Sequence, residues 1–184
     1  MASPEVLVVG ETVIDLVEGD GVTTEHVGGS PANVALTLAR LGNPVRFVTD
    51  LAHYERGERA QQHLAASTML VEPRALNRTS TAHARLQPDG SARYTFDISF
   101  NPTPSNSAAL LTCTQDRSPP SCHPAPRSSP HSSTRVTSTL DPHIRPSLIG
   151  TPETARETFE ALARRIDIVK LSDEDADGSI WANL

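Results

Sequence analysis

Two glycines, an amide and a carboxylate stand close together near the start of the chain. Gly28-Gly29-Ser30-Pro31-Ala32-Asn33 places a Gly-Gly turn before a helix and an asparagine in its first turn. Residues without side chains let a ligand approach bare backbone N–H groups at the positive end of a helix dipole. An asparagine amide both donates and accepts, as binding a polyol requires. Asp15 adds a carboxylate able to accept from two hydroxyls. The same residues also admit a plainer account, in which the glycines form a tight turn and Asp15 is a solvated loop acid.

The elements that must hold these groups read as strand, helix, strand. Val6-Leu7-Val8-Val9 is a short apolar run closed by Gly10, as expected of a buried parallel strand. The helix after the glycines has Ser30 as N-cap, Pro31 as first helical residue and Gly42 as the left-handed residue past its end. Val34, Leu38 and Leu41 give it one apolar stripe. Residues 44–49 form the next strand, so the unit is βαβ and the fold class α/β.

In these residues the chain resembles the ribokinase-like, or PfkB-type, carbohydrate kinases, most closely their fructokinase branch. The matching segments are Val8-Val9-Gly10-Glu11 with Asp15, then Gly28-Gly29-Ser30-Pro31-Ala32-Asn33 with Ala35 and Leu41-Gly42. Arg78-Thr79-Ser80-Thr81-Ala82, residues 141–146 and residues 169–175 follow in the same order. The resemblance implies a three-layer fold with a parallel central sheet and a small β lid. It also implies γ-phosphoryl transfer from ATP, with Mg²⁺, to a sugar hydroxyl. By that likeness Asp15 and Asn33 grip sugar hydroxyls, the Gly28-Gly29 backbone packs on the sugar, and Arg145 belongs to the same site. The lid maps onto residues 79–86 and 91–96 around the turn Gln87-Pro88-Asp89-Gly90.

Several family positions have changed. Where the family keeps an Asn and a Glu around the Mg²⁺–phosphate water network, this chain has Ser172 and Asp175. His143 replaces the Asn of an Asp-Pro-Asn-x-Arg motif; it is either a sugar contact or a strand-end residue. Ala52-His53-Tyr54 stands in place of Gly-Asp-Asp. The family's Gly-Ala-Gly-Asp segment holds its catalytic base, and no Gly-x-Gly-Asp occurs in the 184 residues. The chain is therefore expected to be incomplete at its C-terminal side and inactive in phosphoryl transfer by itself.

Three stretches result: 1–100 as the N-terminal part with its lid hairpins, 101–138 without elements, and 139–184 as the resumed α/β core. Residues 112–135 are dominated by Pro, Ser, Thr, Arg and His with no apolar period. That composition suggests that residues 110–137 are translated out of frame, or are a disordered insert. Cys113, Cys122, His123 and His131 lie there, and their spacing matches no zinc pattern. Beyond this block Thr151 caps a helix opened by Pro152, with Ala155, Phe159, Leu162 and Ile166 at helical spacing. Residues 167–171 then form a buried strand.

The net charge of −6 and the lack of a basic stripe argue against nucleic acid or an anionic membrane as partner. No apolar run approaches a membrane span and no signal peptide is evident, so a cytoplasmic location is expected. A small sugar is the expected partner, and a homodimer through the lid the expected assembly. Two other functions stay open: a sugar-binding remnant without chemistry, and an unrelated dinucleotide-binding α/β domain. The latter is disfavoured because no Gly-x-Gly-x-x-Gly follows Val9.

Overall fold

Val6-Leu7-Val8-Val9 is apolar on both faces because it becomes an inner strand of a sheet. The computed structural model describes residues 5–19, 21–86, 92–99, 110–114, 137–142, 151–173 and 175. In chain order these form β1 (Val6–Val9), β2 (Val13–Gly19), β3 (Val22–Gly28), α1 (Ser30–Arg40), β4 (Val45–Ala52), α2 (Glu55–Ala65) and β5 (Leu70–Leu76). There follow β6 (Ser80–Leu86), β7 (Ala92–Asp97), β8 (Leu110–Thr114), β9 (Thr139–Asp141), α3 (Pro152–Ala163) and β10 (Ile168–Val169).

Six strands make one sheet in the order β10-β9-β8-β1-β4-β5, and every pairing in it is parallel. The register fixes its layers. Val8 aligns with Phe47, and Phe47 with Val71; this face buries Ala32, Ala35, Leu36 and Ala39 of α1 and Leu64 of α2. Val9 aligns with Val48 on one side and with Cys113 and then Leu140 on the other, which places Leu140 on the opposite face. Leu140 packs against Leu162 and Phe159 of α3. Helices thus cover both faces, the arrangement expected of parallel strands.

The remaining four strands form the lid, in the order β3-β2-β6-β7. The paired strands β6 and β7 lie where the sequence places a hairpin, although its turn, Gln87-Pro88-Asp89-Gly90, lies outside the described residues. The β2–β3 hairpin is a correction. It interrupts the simple strand-helix-strand unit and lifts Asp15 out of a loop into the middle of a strand. Its sequence signal is the Asp20-Gly21 pair between two runs rich in β-branched residues, closed by pairing of Gly19 with Val22.

Helix α1 also differs in detail. Gly29, not Ser30, is the N-cap; its φ of 103° suits glycine, and no side chain caps the helix. The buried face consists of Pro31, Ala32, Ala35, Leu36 and Ala39, whereas Leu41 is 74% exposed. Small residues let the helix axis approach the sheet, so the larger Val34 and Leu38 sit only half-buried at its side. The far end matches the sequence reading: Gly42 is left-handed, and Gly42 N–H to Ala39 with Asn43 N–H to Leu38 completes a Schellman motif.

In the stretch 101–138, expected to lack elements, Leu110–Thr114 forms β8 between β1 and β9. Apart from residues 137 and 138, the rest of that stretch lies outside the described residues. Helix α3 begins as expected, with the Thr151 hydroxyl accepting from Thr154 N–H at 3.3 Å. Strand β10 is two residues long and lies at the open edge of the sheet; Ile168 is 52% exposed, so the buried strand expected at 167–171 is an exposed one.

Candidate sugar site

The chain passes into the lid immediately after β1 and returns from it at Gly28-Gly29, beside the C-terminal end of the parallel sheet. Ligands of open α/β sheets bind outside that end. Thr12 and Thr49 share a buried 2.9 Å hydrogen bond that ties the β1–β2 connection to β4. The Thr79 hydroxyl accepts from Ala52 N–H at 3.1 Å where the chain re-enters the lid after β5.

Asp15 lies directly across the hairpin from His26, and its carboxylate covers Gly28. A Cβ at Gly28 would overlap Asp15 Oδ2. One at Gly29 would stand 2.8 Å from the Glu11 carbonyl oxygen and 3.2 Å from Val13 N. Both glycines are therefore required for the lid hairpin, the carboxylate and the helix start to occupy one place. Burial pushes the Asp15 carboxyl above the usual carboxylate range, and the nearby His26 charge pulls it back in part.

Asn33 sits one turn into α1, its N–H bonded to Gly29 O at 3.0 Å and its side chain exposed. With Ser30, Val34, Thr37 and Leu38 it lines an open pocket of about 530 Å³. Asp15 does not line that pocket. The structure thus gathers Asp15, Gly28 and Gly29, and puts Asn33 beyond them on the outer side of the same helix start.

Arg145 and His143 lie outside the described residues. Ser172 and Asp175 engage each other: Ser172 Oγ donates to Asp175 Oδ2 at 2.7 Å, Ser172 N–H to the same oxygen at 3.2 Å, and Asp175 N–H to Ser172 Oγ at 3.0 Å. This reciprocal pattern is a capping box. Among the described residues, no group of three or more His, Cys, Asp or Glu side chains is placed to hold a metal ion. None of their helices is long and apolar enough to cross a membrane.

One group absent from the sequence reading anchors the lid. Glu25 on β3 accepts from Arg56 at 2.5 Å and also from Arg59, both on α2. These guanidinium contacts hold the Glu25 carboxyl below its ordinary range. The only sequence sign was an Arg-x-x-Arg spacing on a helix, which does not specify its acceptor.

Comparison with known proteins places the fold. The chain is 31% identical over 191 residues to the fructokinase of Rhizobium leguminosarum bv. trifolii, covering 94% of itself and 58% of that protein. It is 28% identical over 195 residues to the fructokinase of Klebsiella pneumoniae, covering 93% of itself and 61% of that protein. The chain belongs to the PfkB, or ribokinase-like, family of carbohydrate kinases. It spans about three-fifths of the length of these curated relatives. Its fold is that of Vibrio cholerae O395 fructokinase in a fructose-, ADP- and calcium-bound form, with a TM-score of 0.70 at 23% identity. That match covers 94% of this chain and 61% of the other. No family model matches the chain.

Proposed function

We propose that this PfkB-family chain carries the sugar half-site of an ATP-dependent, fructokinase-type sugar kinase. The observation that carries the reading is the Asp15 carboxylate lying against Gly28 at the mouth of α1. Asp15 accepts from two sugar hydroxyls, and the missing side chain of Gly28 is the space that seats its carboxylate at the helix start. Asn33 gives and takes one hydrogen bond each from the other side of the helix start, and Arg145 belongs to the same reading. Ionic and amide partners together fix which hydroxyl points away from the protein. The lid strands exclude water from that hydroxyl, which matters because water competes with the sugar as acceptor.

ATP and Mg²⁺ belong to this reading through the family; when bound, they supply the phosphoryl group and neutralise its charge. The capping box leaves Ser172 and Asp175 committed to a helix start. With no Gly-x-Gly-Asp in the sequence, the chain alone is read as binding sugar without turning over ATP. A homodimer through the lid belongs to the same reading. Edge strand β7 offers Tyr94, 56% exposed and stacked on Phe96 with ring centroids 5.9 Å apart.

Thermal unfolding with and without fructose tests the proposal. Fructose at ten times its dissociation constant should raise the midpoint by about 3–5 °C, while ATP with Mg²⁺ and fructose yields no ADP. A midpoint that ignores fructose at every concentration removes the half-site. ADP release dependent on fructose would show that this chain is a complete kinase.

A further inference from the structure

Among the described residues, Asp15 shares its face of the lid with one residue capable of positive charge, His26. The β2–β3 register sets His26 directly opposite it, and the row continues through Ala82 on β6 to Phe96 on β7. Directly opposed residues of antiparallel strands have Cβ atoms about 4.5–5.5 Å apart. The neighbouring row is Thr24, Val17, Ala84 and Tyr94. His26 Nε2 lies 3.3 Å from Thr24 Oγ1, which holds the ring along β3 on this face.

The other charged side chains of the lid strands lie elsewhere. Glu25 pairs with Arg56 and Arg59, and Glu18 with Arg85, all from the alternate positions of β3, β2 and β6. His83 aligns with Leu16 on that same opposite face. Asp97 pairs with Arg78. From the body, Glu11 is buried and partnered, and its carbonyl oxygen abuts Gly29. The start of α1 contributes a partial positive charge but no ionisable side chain. Among the described residues, Tyr94 is the remaining titratable group on the Asp15 face.

Asp15 therefore loses water on a half-buried strand, and among the described residues His26 is the neighbouring side chain placed to offset that loss. We propose that His26 is the positioning residue for Asp15: protonated across the hairpin, it keeps the carboxylate ionised and available to sugar hydroxyls as the medium becomes acidic. The sugar part of this inference rests on the half-site reading above, whereas the pairing itself does not.

The test uses the full chain, with the Asp15 carboxyl followed by carbon NMR titration and fructose affinity by calorimetry from pH 4.5 to 8. His26→Gln should move the Asp15 midpoint upward, and His26→Lys should bring it back. Concentrated salt should shrink the difference, because His26 is exposed. Fructose affinity of His26→Gln should fall about twofold at pH 4.5–5 and match the parent at pH 8. Identical Asp15 midpoints in the parent and His26→Gln would overturn the pairing, whatever fructose does. A shifted midpoint upholds it, and absence of fructose binding to the parent then counts against the half-site alone.

Discussion

Asp15 is ionised at a cost. Its folded pKa is raised, so its neutral form suits the folded state better than its charged form does. The cost is present above the raised value and disappears as pH falls through it toward the ordinary 3.8. On the half-site reading, ligand affinity should run the other way, because the charged form is the better acceptor from hydroxyls. Asp15→Asn should leave thermal stability at pH 7 unchanged or raise it by under about 1 kcal/mol, since the group is half-exposed. The same change should weaken fructose binding about 10- to 100-fold in calorimetry. Gly28→Ala keeps the carboxylate but pushes it aside, and should weaken fructose about tenfold with normal far-ultraviolet dichroism. Ser30→Ala should shift the melting midpoint by no more than about 0.5 kcal/mol of stability, because Gly29 is the cap and Ser30 makes no capping bond.

Among the elements, α2 is held by a close approach rather than by large side chains. Glycine to alanine inside a helix ordinarily gains about 1 kcal/mol. At Gly57 the added Cβ would overlap the carbonyl oxygen of Ala52. Gly57→Ala should therefore reverse the sign and cost about 1–3 kcal/mol, read from denaturant midpoints. Thr151→Ala at the start of α3 should cost about 1 kcal/mol through its lost cap. How legible each element was follows from the same physics. Val6–Val9 and the Thr151-Pro152 start were readable because their signals are local. The β2–β3 hairpin was hidden because Asp15, Glu18, Glu25 and His26 interrupt its apolar pattern. Helix α2 buries only Gly57, Ala60 and Leu64, so too little apolar surface marks its face. The α1 stripe was misplaced because size was taken as the guide, whereas alanine is what lets a helix settle close to a sheet. At the site, Gly28, Gly29 and Asp15 were legible as a group through residue type and order. His26 was not, since cross-strand partners appear only once the register is known.

At the scale of the whole molecule, apolar surface remains on the outside. Leu41 is 74% exposed, Leu70 53%, Ile168 52% and Leu171 38%, and the two-residue β10 closes one edge of a parallel sheet. Open edges with apolar flanks pair with other chains. The isolated polypeptide should therefore self-associate, with light scattering above the monomer mass of 19.7 kDa at tens of micromolar, an order-of-magnitude expectation. Ile168→Lys with Leu41→Lys should shift the distribution toward monomer. A sharp melt of a strictly monomeric parent would contradict this.

The Glu25 clamp joins the small sheet to α2 of the body. On the half-site reading proposed above, Asp15 on the small sheet and Asn33 on the body would hold different ends of a polyol across the seam that the Arg56–Glu25–Arg59 contact spans. On that reading, whatever loosens the contact, concentrated salt or acid that protonates Glu25, should let the two halves part and release a polyol while the larger sheet is still intact. Loss of recognition should then come before loss of structure when salt is raised, a separation in order that a single rigid cup would not show.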